Sequence, residues 1–145
     1  MRILIAEDNS LIAMAMATSL ERAGHEVVGP VVANAPAMAA ARRTPPDLAL
    51  VDIDLQGGDS GFDLAASLHV ELGVPSLFVT GQLGEAIERG ASTGSGDGHG
   101  CPALGALGKP FRMPLLLAAV EGALRYARGE GVPESSRQLR WFSAE

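Results

Sequence analysis

The chain has 145 residues, close to the usual size of one domain, and is long enough to bury one sizeable core. Because 47% of the residues are hydrophobic and 19% are charged, the composition argues against disorder along the whole chain. The net charge of −6 argues against a nucleic-acid partner, since a surface that binds nucleic acid needs a basic patch.

The N-terminal residues do not form a signal peptide, because Glu7 and Asp8 interrupt the apolar run that follows Arg2. No stretch approaches the roughly 20 apolar residues that a membrane-spanning helix requires. Cys101 is the single cysteine, so the chain cannot form an internal disulfide, as is usual in a reducing compartment. We therefore expect a soluble, cytoplasmic protein without a membrane partner.

The first half of the chain alternates between strand and helix signals. Its apolar runs are continuous, which is typical of parallel strands that are covered on both faces. Each helix begins at a capping residue and ends at a glycine or before a proline, where the helical backbone does not continue. In chain order, we predict a strand at 2–7, a helix from Asn9 or Ser10 to Gly24, a strand at 26–32, a helix capped by Asn34 that ends before Pro45, and a strand at 47–52.

The second half continues this alternation with one interruption. Residues 90–100 are too rich in glycine for a stable helix, because each interior glycine costs about 1 kcal/mol relative to alanine. We therefore expect the fourth helix to be short and weak or mobile. In chain order, we predict a helix from Asp59 or Ser60 to Leu72, a strand at 75–80, a helix at 83–89, a strand at 103–107 and a helix from Pro114 to Arg128.

Five successive β–α units predict an α/β fold, a doubly wound parallel sheet of five strands with helices on both faces. Residues 1–128 form this domain, and residues 129–145 form a polar C-terminal tail. The tail contains an isolated apolar pair, Trp141 and Phe142, which leaves two alternatives open. The tail is either a frayed end or a segment that docks on the domain or on a partner. No output domain follows the fifth helix, so we expect a stand-alone domain.

Charged and polar side chains follow four of the predicted strands. Because ligands of an open parallel sheet bind beyond the carboxyl ends of its strands, these side chains should meet at one edge. Clustered carboxylates repel one another unless a cation joins them, and Mg²⁺ prefers oxygen ligands. The pattern predicts phosphoryl chemistry on an aspartate. The side chains are Glu7 and Asp8 after the first strand, Asp52 and Asp54 after the third, Thr80 after the fourth and Lys109 after the fifth.

Four motifs at these positions resemble the receiver domain of bacterial two-component response regulators. They are Ile-Leu-Ile-Ala-Glu-Asp-Asn at 3–9, Pro-Asp-Leu-Ala-Leu-Val-Asp at 46–52, Phe-Val-Thr-Gly at 78–81 and Gly-Lys-Pro-Phe at 108–111. Each motif alone is weak, but their order, spacing and placement at strand ends are specific. The resemblance covers residues 1 to about 128 and implies a flavodoxin-like sheet with strand order 2-1-3-4-5.

The resemblance also implies a function for the site. The phosphodonor would be a sensor histidine kinase or a histidine phosphotransfer protein, and signalling would proceed by contact with a downstream protein target. The domain would not be an enzyme beyond its own phosphorylation and dephosphorylation. The roles implied are a phosphoacceptor at Asp52, phosphoryl contacts from Thr80, Gly81 and Lys109, and an Mg²⁺ site formed by Asp8, Asp52, the backbone carbonyl of Asp54 and, through a water, Glu7. A cis bond between Lys109 and Pro110 is implied as well.

One departure from the family's pattern bears on signalling. Ala106 stands where the family usually carries an aromatic residue, and the motif at 78–81 is similar to that of a subgroup written Phe-Ala-Thr-Gly. In that subgroup the segment after the fourth strand is mobile. We therefore expect residues 83–100 to be mobile, and phosphorylation to order or shift them.

A rival interpretation comes from another class of protein. Asp52-Ile-Asp54 resembles the first motif of aspartate-nucleophile phosphatases of the haloacid dehalogenase type. That family needs an acidic pair downstream of its lysine, whereas here the pair lies upstream, at Glu7 and Asp8. A third interpretation is an interaction module that uses the same fold without phosphate.

Overall fold

A computed structural model of the protein describes residues 1–93 and 103–142. Within these ranges the chain forms six strands and five helices. The strands are β1 (Arg2–Ala6), β2 (Glu26–Val31), β3 (Leu48–Val51), β4 (Ser76–Thr80), β5 (Ala103–Gly108) and β6 (Leu139–Trp141). The helices are α1 (Ser10–Arg22), α2 (Asn34–Arg43), α3 (Gly61–Leu72), α4 (Leu83–Thr93) and α5 (Met113–Ala127), and a short 3-10 turn spans Gln56–Gly58.

The strands form one sheet in the order β2-β1-β3-β4-β5-β6. The first five strands are parallel, so the predicted order 2-1-3-4-5 is confirmed. The sheet has six strands rather than the predicted five, because β6 pairs antiparallel with β5 at its edge. Of the two alternatives for the C-terminal residues, the structure shows docking on the domain.

Each face of the sheet carries its own hydrophobic core, because successive side chains of a strand point to opposite faces. On one face, Leu4 and Phe78 lie in a buried cluster with apolar residues of α2, α3 and α4. On the other face, Ile5 and Leu77 lie in a cluster with residues of α1 and α5. This arrangement is the predicted doubly wound α/β sandwich. No helix in the described ranges has the length and apolar character needed to cross a membrane.

Local signals place most helix ends correctly. Asn9 caps α1, since its side chain accepts hydrogen bonds from the amides of Leu11 and Ile12. Gly73 ends α3 in the left-handed conformation, with φ 66°. Asn34 does not cap α2 as predicted but is its first residue. Its amide donates instead to a carboxylate oxygen of Asp59.

Helix α4 is longer than predicted, continuing past Arg89 to Thr93. Ala86 of α4 is fully buried and Leu83 and Ile87 pack on the same core, so tertiary packing anchors the part of the helix that the sequence predicts. Tertiary packing of an apolar face outweighs weak intrinsic propensity. The rest of the predicted mobile segment, residues 94–100, lies outside the described residues, as does Cys101.

Candidate functional site

The pairing of β1 with β3 brings two acidic residues side by side. Ala6 and Val51 are register partners, so Glu7 and Asp52 leave the sheet at neighbouring positions. The amide of Asp52 also donates to the carbonyl of Ala6 at 2.9 Å, which extends the pairing to the site itself. The sheet edge therefore holds these two carboxylates together, as the sequence predicts.

Glu7, Asp8 and Asp52 form a cluster whose ligand atoms all lie within 4.8 Å of one another. Glu7 and Asp52 are buried, with 2% and 7% of their surfaces exposed, while Asp8 is exposed. The cluster therefore opens to solvent on the side of Asp8. Three carboxylates so close together suit a hard divalent cation, which takes oxygen ligands and tolerates waters in its remaining positions. The donor set fits Mg²⁺.

Lys109 reaches the cluster from the end of β5. Thr80 and Gly108 are register partners across β4 and β5, and the amide of Lys109 donates to the carbonyl of Thr80 at 2.8 Å. The bond between Lys109 and Pro110 is cis, as predicted. The Lys109 ammonium lies 2.6 Å from Oε1 of Glu7 and 2.9 Å from Oδ2 of Asp52. One cation thus bridges the two buried carboxylates.

The environment of this ion pair shifts the pKa of both Glu7 and Lys109. Burial raises the pKa of Glu7, and the nearby charge of Asp52 adds to this effect, while hydrogen bonds from Lys109 and the amide of Asn9 oppose it. Burial acts to lower the pKa of Lys109, but its hydrogen bonds to Glu7 and Asp52 outweigh that effect and raise the pKa overall. The ammonium therefore stays charged, and burial disfavours the ionised form of Glu7.

Thr80 and Gly81 lie at the end of β4. Thr80 is buried, and its hydroxyl accepts a hydrogen bond of 2.9 Å from the amide of Gln82. Gly81 is exposed, and a Cβ atom placed there would meet nothing within 4 Å. The backbone at Gly81 therefore borders open space, where a ligand has room to approach.

Asp54 lies beside the phosphoacceptor candidate rather than among the clustered carboxylates. Its amide donates to Oδ1 of Asp52 at 3.1 Å, which orients that carboxylate. The Asp54 side chain is exposed and accepts a hydrogen bond from the amide group of Gln82. Sequence reasoning missed Gln82. Its position two residues after Thr80 was the available signal for its other contact, in which the backbone N–H of Gln82 donates to the Thr80 hydroxyl.

An apolar groove of about 440 Å³ lies next to the site. Its walls come from α1 and from the turn that carries Lys109. Leu11 and Met14 of α1 are also exposed, with 79% and 65% of their surfaces accessible. The groove is lined by Leu11, Ile12, Ala15, Lys109, Pro110, Phe111 and Met113.

The chain is similar to known signalling proteins. Residues 3–121 match the family model of the response regulator receiver domain. The transcriptional regulatory protein PdtaR of Mycobacterium tuberculosis is 32% identical over 124 residues, which are 85% of this chain and 56% of that protein. The chain spans about half the length of the curated relatives it matches.

Solved structures show the same likeness. The signal receiver domain of a modulated diguanylate cyclase from Desulfovibrio desulfuricans is 31% identical, has a TM-score of 0.74, and is matched over 90% of this chain and 98% of that one. The response regulator PhyR from Brucella abortus is 29% identical with a TM-score of 0.72, matched over 89% of this chain and 49% of that one. The haloacid dehalogenase alternative finds no support in these comparisons. The chain belongs to the response regulator receiver domain family.

Proposed function

We propose that this domain receives a phosphoryl group on Asp52 in an Mg²⁺-dependent reaction and signals by contact with another protein. The observation that carries the proposal is the placement of Asp52, which is buried, lies in the carboxylate cluster with Glu7 and Asp8, and is 2.9 Å from the Lys109 ammonium. Receiver domains are generally signalling proteins rather than enzymes, and family membership supports the same role here.

In the proposed reaction, an Asp52 carboxylate oxygen attacks the phosphorus of the donor. An oxygen–phosphorus bond forms, the bond from phosphorus to the donor breaks, and the donor's leaving group keeps the electron pair. The Asp54 amide and the Lys109 ammonium hold the two carboxylate oxygens of Asp52 in place before the attack. Lys109 then neutralises charge on the transferring oxygens. Thr80 and Gly81 offer a hydroxyl and a backbone N–H to the same group.

The metal would complete the balance of charge at the site. Glu7, Asp8, Asp52 and the backbone carbonyl of Asp54 would hold Mg²⁺, which supplies positive charge against the phosphoryl oxygens. Without such a cation, a single ammonium faces three carboxylates in the cluster.

The proposed donor is a sensor histidine kinase or a histidine phosphotransfer protein, and the proposed compartment is the cytoplasm. The apolar groove beside Lys109 supports a protein donor, because Leu11 exposes a large apolar side chain in its wall, next to the site. Exposed apolar surface bordered by polar residues is typical of protein contacts. The phosphorylated domain would then bind a downstream protein target.

Incubation with an acyl phosphate and Mg²⁺, followed by intact mass measurement, tests the proposal. We expect the wild-type protein to gain one phosphoryl group and to gain none when EDTA replaces Mg²⁺. The Asp52→Asn variant should gain none, whereas Asp63→Asn, an exposed acid on α3, should match wild type. Phosphorylation of Asp52→Asn at the wild-type rate would overturn the assignment. Multiple turnover of a generic phosphomonoester would favour a phosphatase instead.

A further inference from the structure

The C-terminal segment contacts the backbone on both sides of Lys109. The side-chain amide of Gln138 donates to the carbonyl of Gly108 at 3.2 Å and also to the carbonyl of Pro110. The amide of Gly108 donates in return to the carbonyl of Gln138 at 2.8 Å. Gln138 therefore binds the residue before Lys109 and the residue after it. Gln138 itself lies outside residues 3–121, the part that matches the family, whereas Gly108 and Pro110 lie within it.

The segment that carries Gln138 is anchored firmly to the domain. In β6, Trp141 lies opposite Gly105 of β5 and is 9% exposed. Its ring meets Tyr126 of α5 edge to face, with centroids 6.0 Å apart. The Tyr126 hydroxyl donates to the carbonyl of Phe142, whose amide donates to Leu104. Aromatic burial and backbone pairing together hold the segment at the edge of the sheet.

Two glycines of the domain make room for this segment. A Cβ atom at Gly105 would lie 2.4 Å from the carbonyl oxygen of Arg140, and one at Gly122 would lie 3.0 Å from the Trp141 ring. Neither glycine stands at a position of positive φ, so backbone conformation does not require glycine there. Their small size instead fits the close approach of β6, so β5 and α5 are shaped to receive it.

We propose that Gln138 is a positioning residue that fixes the backbone around Lys109 and so aims its ammonium at Glu7 and Asp52. Lys109 carries a long, flexible side chain, so the position of its ammonium depends on the position of its backbone. Gln138 restricts that backbone position, because its side chain binds the carbonyls of both neighbours of Lys109. The effect of Gln138 on phosphorylation rests on the proposed function, whereas its effect on the position of Lys109 does not.

A thermodynamic consequence follows from this coupling. If docking of the C-terminal segment favours the arrangement of Lys109 that binds a phosphoryl group, then the phosphoryl group must favour docking by the same factor. Docking of the segment at the β5 edge would thus depend on whether Asp52 is phosphorylated, although the segment lies away from the carboxylate cluster.

Lys109 is the only lysine of the chain, so lysine-selective isotope labelling gives a single side-chain NMR signal. We would compare wild type with Gln138→Met and Gln138→Glu, which both remove the amide donor. Arg137→Gln is the matched control, because it alters an exposed neighbour and changes the net charge by the same amount as Gln138→Glu. Both Gln138 variants should move the Lys109 signal toward that of a free lysine, and the control should leave it unchanged.

The rate of phosphorylation by an acyl phosphate provides the second readout. At saturating donor the rate should fall roughly three- to tenfold in both Gln138 variants, because they lose the hydrogen bonds to the carbonyls of Gly108 and Pro110. The donor concentration at half-maximal rate should stay the same, since Gln138 does not touch the donor. A wild-type protein that gains no phosphoryl group would refute the proposed function but leave the NMR test of Gln138 intact.

Trp141 is the only tryptophan, so its fluorescence reports whether the segment is docked. Its emission should stay that of a buried indole in the Gln138 variants, and beryllofluoride with Mg²⁺ should slow hydrogen exchange of β6 in wild type. If Gln138→Met instead shows the emission of a solvent-exposed indole, the whole segment has undocked from the domain. The positioning of Lys109 could then not be assigned to the Gln138 side chain. An unchanged Lys109 signal in both variants would overturn the positioning role itself.

Discussion

The ammonium of Lys109 lies 2.6 Å from Oε1 of Glu7, closer than its 2.9 Å distance to Oδ2 of Asp52. Glu7 is also the more deeply buried of the two acids, with 2% of its surface exposed against 7% for Asp52. The positive charge of Lys109 is therefore shared between Glu7 and Asp52. Release of Lys109 from Glu7 would free that charge for a phosphoryl group on Asp52.

Replacing Glu7 by glutamine should change how the stability of the metal-free protein depends on pH. Because burial raises the folded pKa of Glu7, the folded state binds this proton more tightly than the unfolded state. The free energy of unfolding should therefore fall as the pH rises from the ordinary value of 4.5 through the raised folded value. Glu7→Gln lacks this titration and should gain stability relative to wild type over the same window.

Urea unfolding in EDTA at several pH values measures this difference. Glutamine keeps the size of the side chain and an oxygen that can accept from the amide of Asn9, so the variant removes chiefly the charge of Glu7. A difference that stays constant with pH, or moves in favour of wild type, would show that Glu7 does not titrate as expected.

Asp8→Ala should weaken Mg²⁺ binding roughly tenfold or more, because it removes one of the three carboxylates of the cluster. Asp8 is exposed, so we expect the variant to fold normally. Isothermal titration with Mg²⁺ measures the affinity, and Asp63→Ala on the surface of α3 is the control. Equal affinity in the two variants would remove Asp8 from the metal site.

Hydrogen exchange should show that α4 responds to the phosphoryl group. The Thr80 hydroxyl accepts from the amide of Gln82 at the start of this helix. Binding of Thr80 and Gly81 to phosphoryl oxygens would anchor that start, and Ala106 offers no bulky ring to carry the signal instead. We expect exchange in α4 to be faster than in β3 in the free protein, and to slow with beryllofluoride and Mg²⁺.

Thr80→Val is the control for this experiment, since it keeps the branched shape but removes the hydroxyl. Loss of the bond to Gln82 should destabilise the start of α4 by about 1 kcal/mol, the usual net contribution of one hydrogen bond. Exchange in α4 should then no longer respond to the mimic. An α4 that exchanges as slowly as β3, with no response in wild type, would refute the predicted switch.

Gly61→Ala should destabilise the fold by about 3 kcal/mol, because its Cβ atom would lie 2.1 Å from the carbonyl oxygen of Asp52 and 2.7 Å from Cα of Ile53. The clash is with backbone, which cannot turn away as a side chain does. Gly84→Ala in the first turn of α4 is the matched control, since its Cβ atom would meet nothing within 4 Å. Urea unfolding measures both variants, and equal stability would mean that the backbone at Asp52 shifts freely.

Sequence reasoning succeeded where short-range rules decide the structure. Apolar runs end at Glu7, Asp52 and Thr80, and a weaker one ends at Lys109. Parallel strands carry such residues to one edge of a sheet whatever the details of packing. The carboxylate cluster accordingly forms at the predicted edge. The strand order 2-1-3-4-5 is also as predicted, through the resemblance to the receiver family. The cis bond after Lys109 was also predicted, through the resemblance to the receiver family.

Tertiary structure alone decided three other features. Helix α4 is anchored to the sheet because Ala86 is buried in the core, and intrinsic helix propensity does not include the free energy of that burial. Strand β6 forms because β5 offers an unpaired edge and Gly105 and Gly122 leave space for Trp141. The contact of Gln138 with the backbone around Lys109 joins residues about 30 apart in sequence, and only packing of the whole domain brings them together.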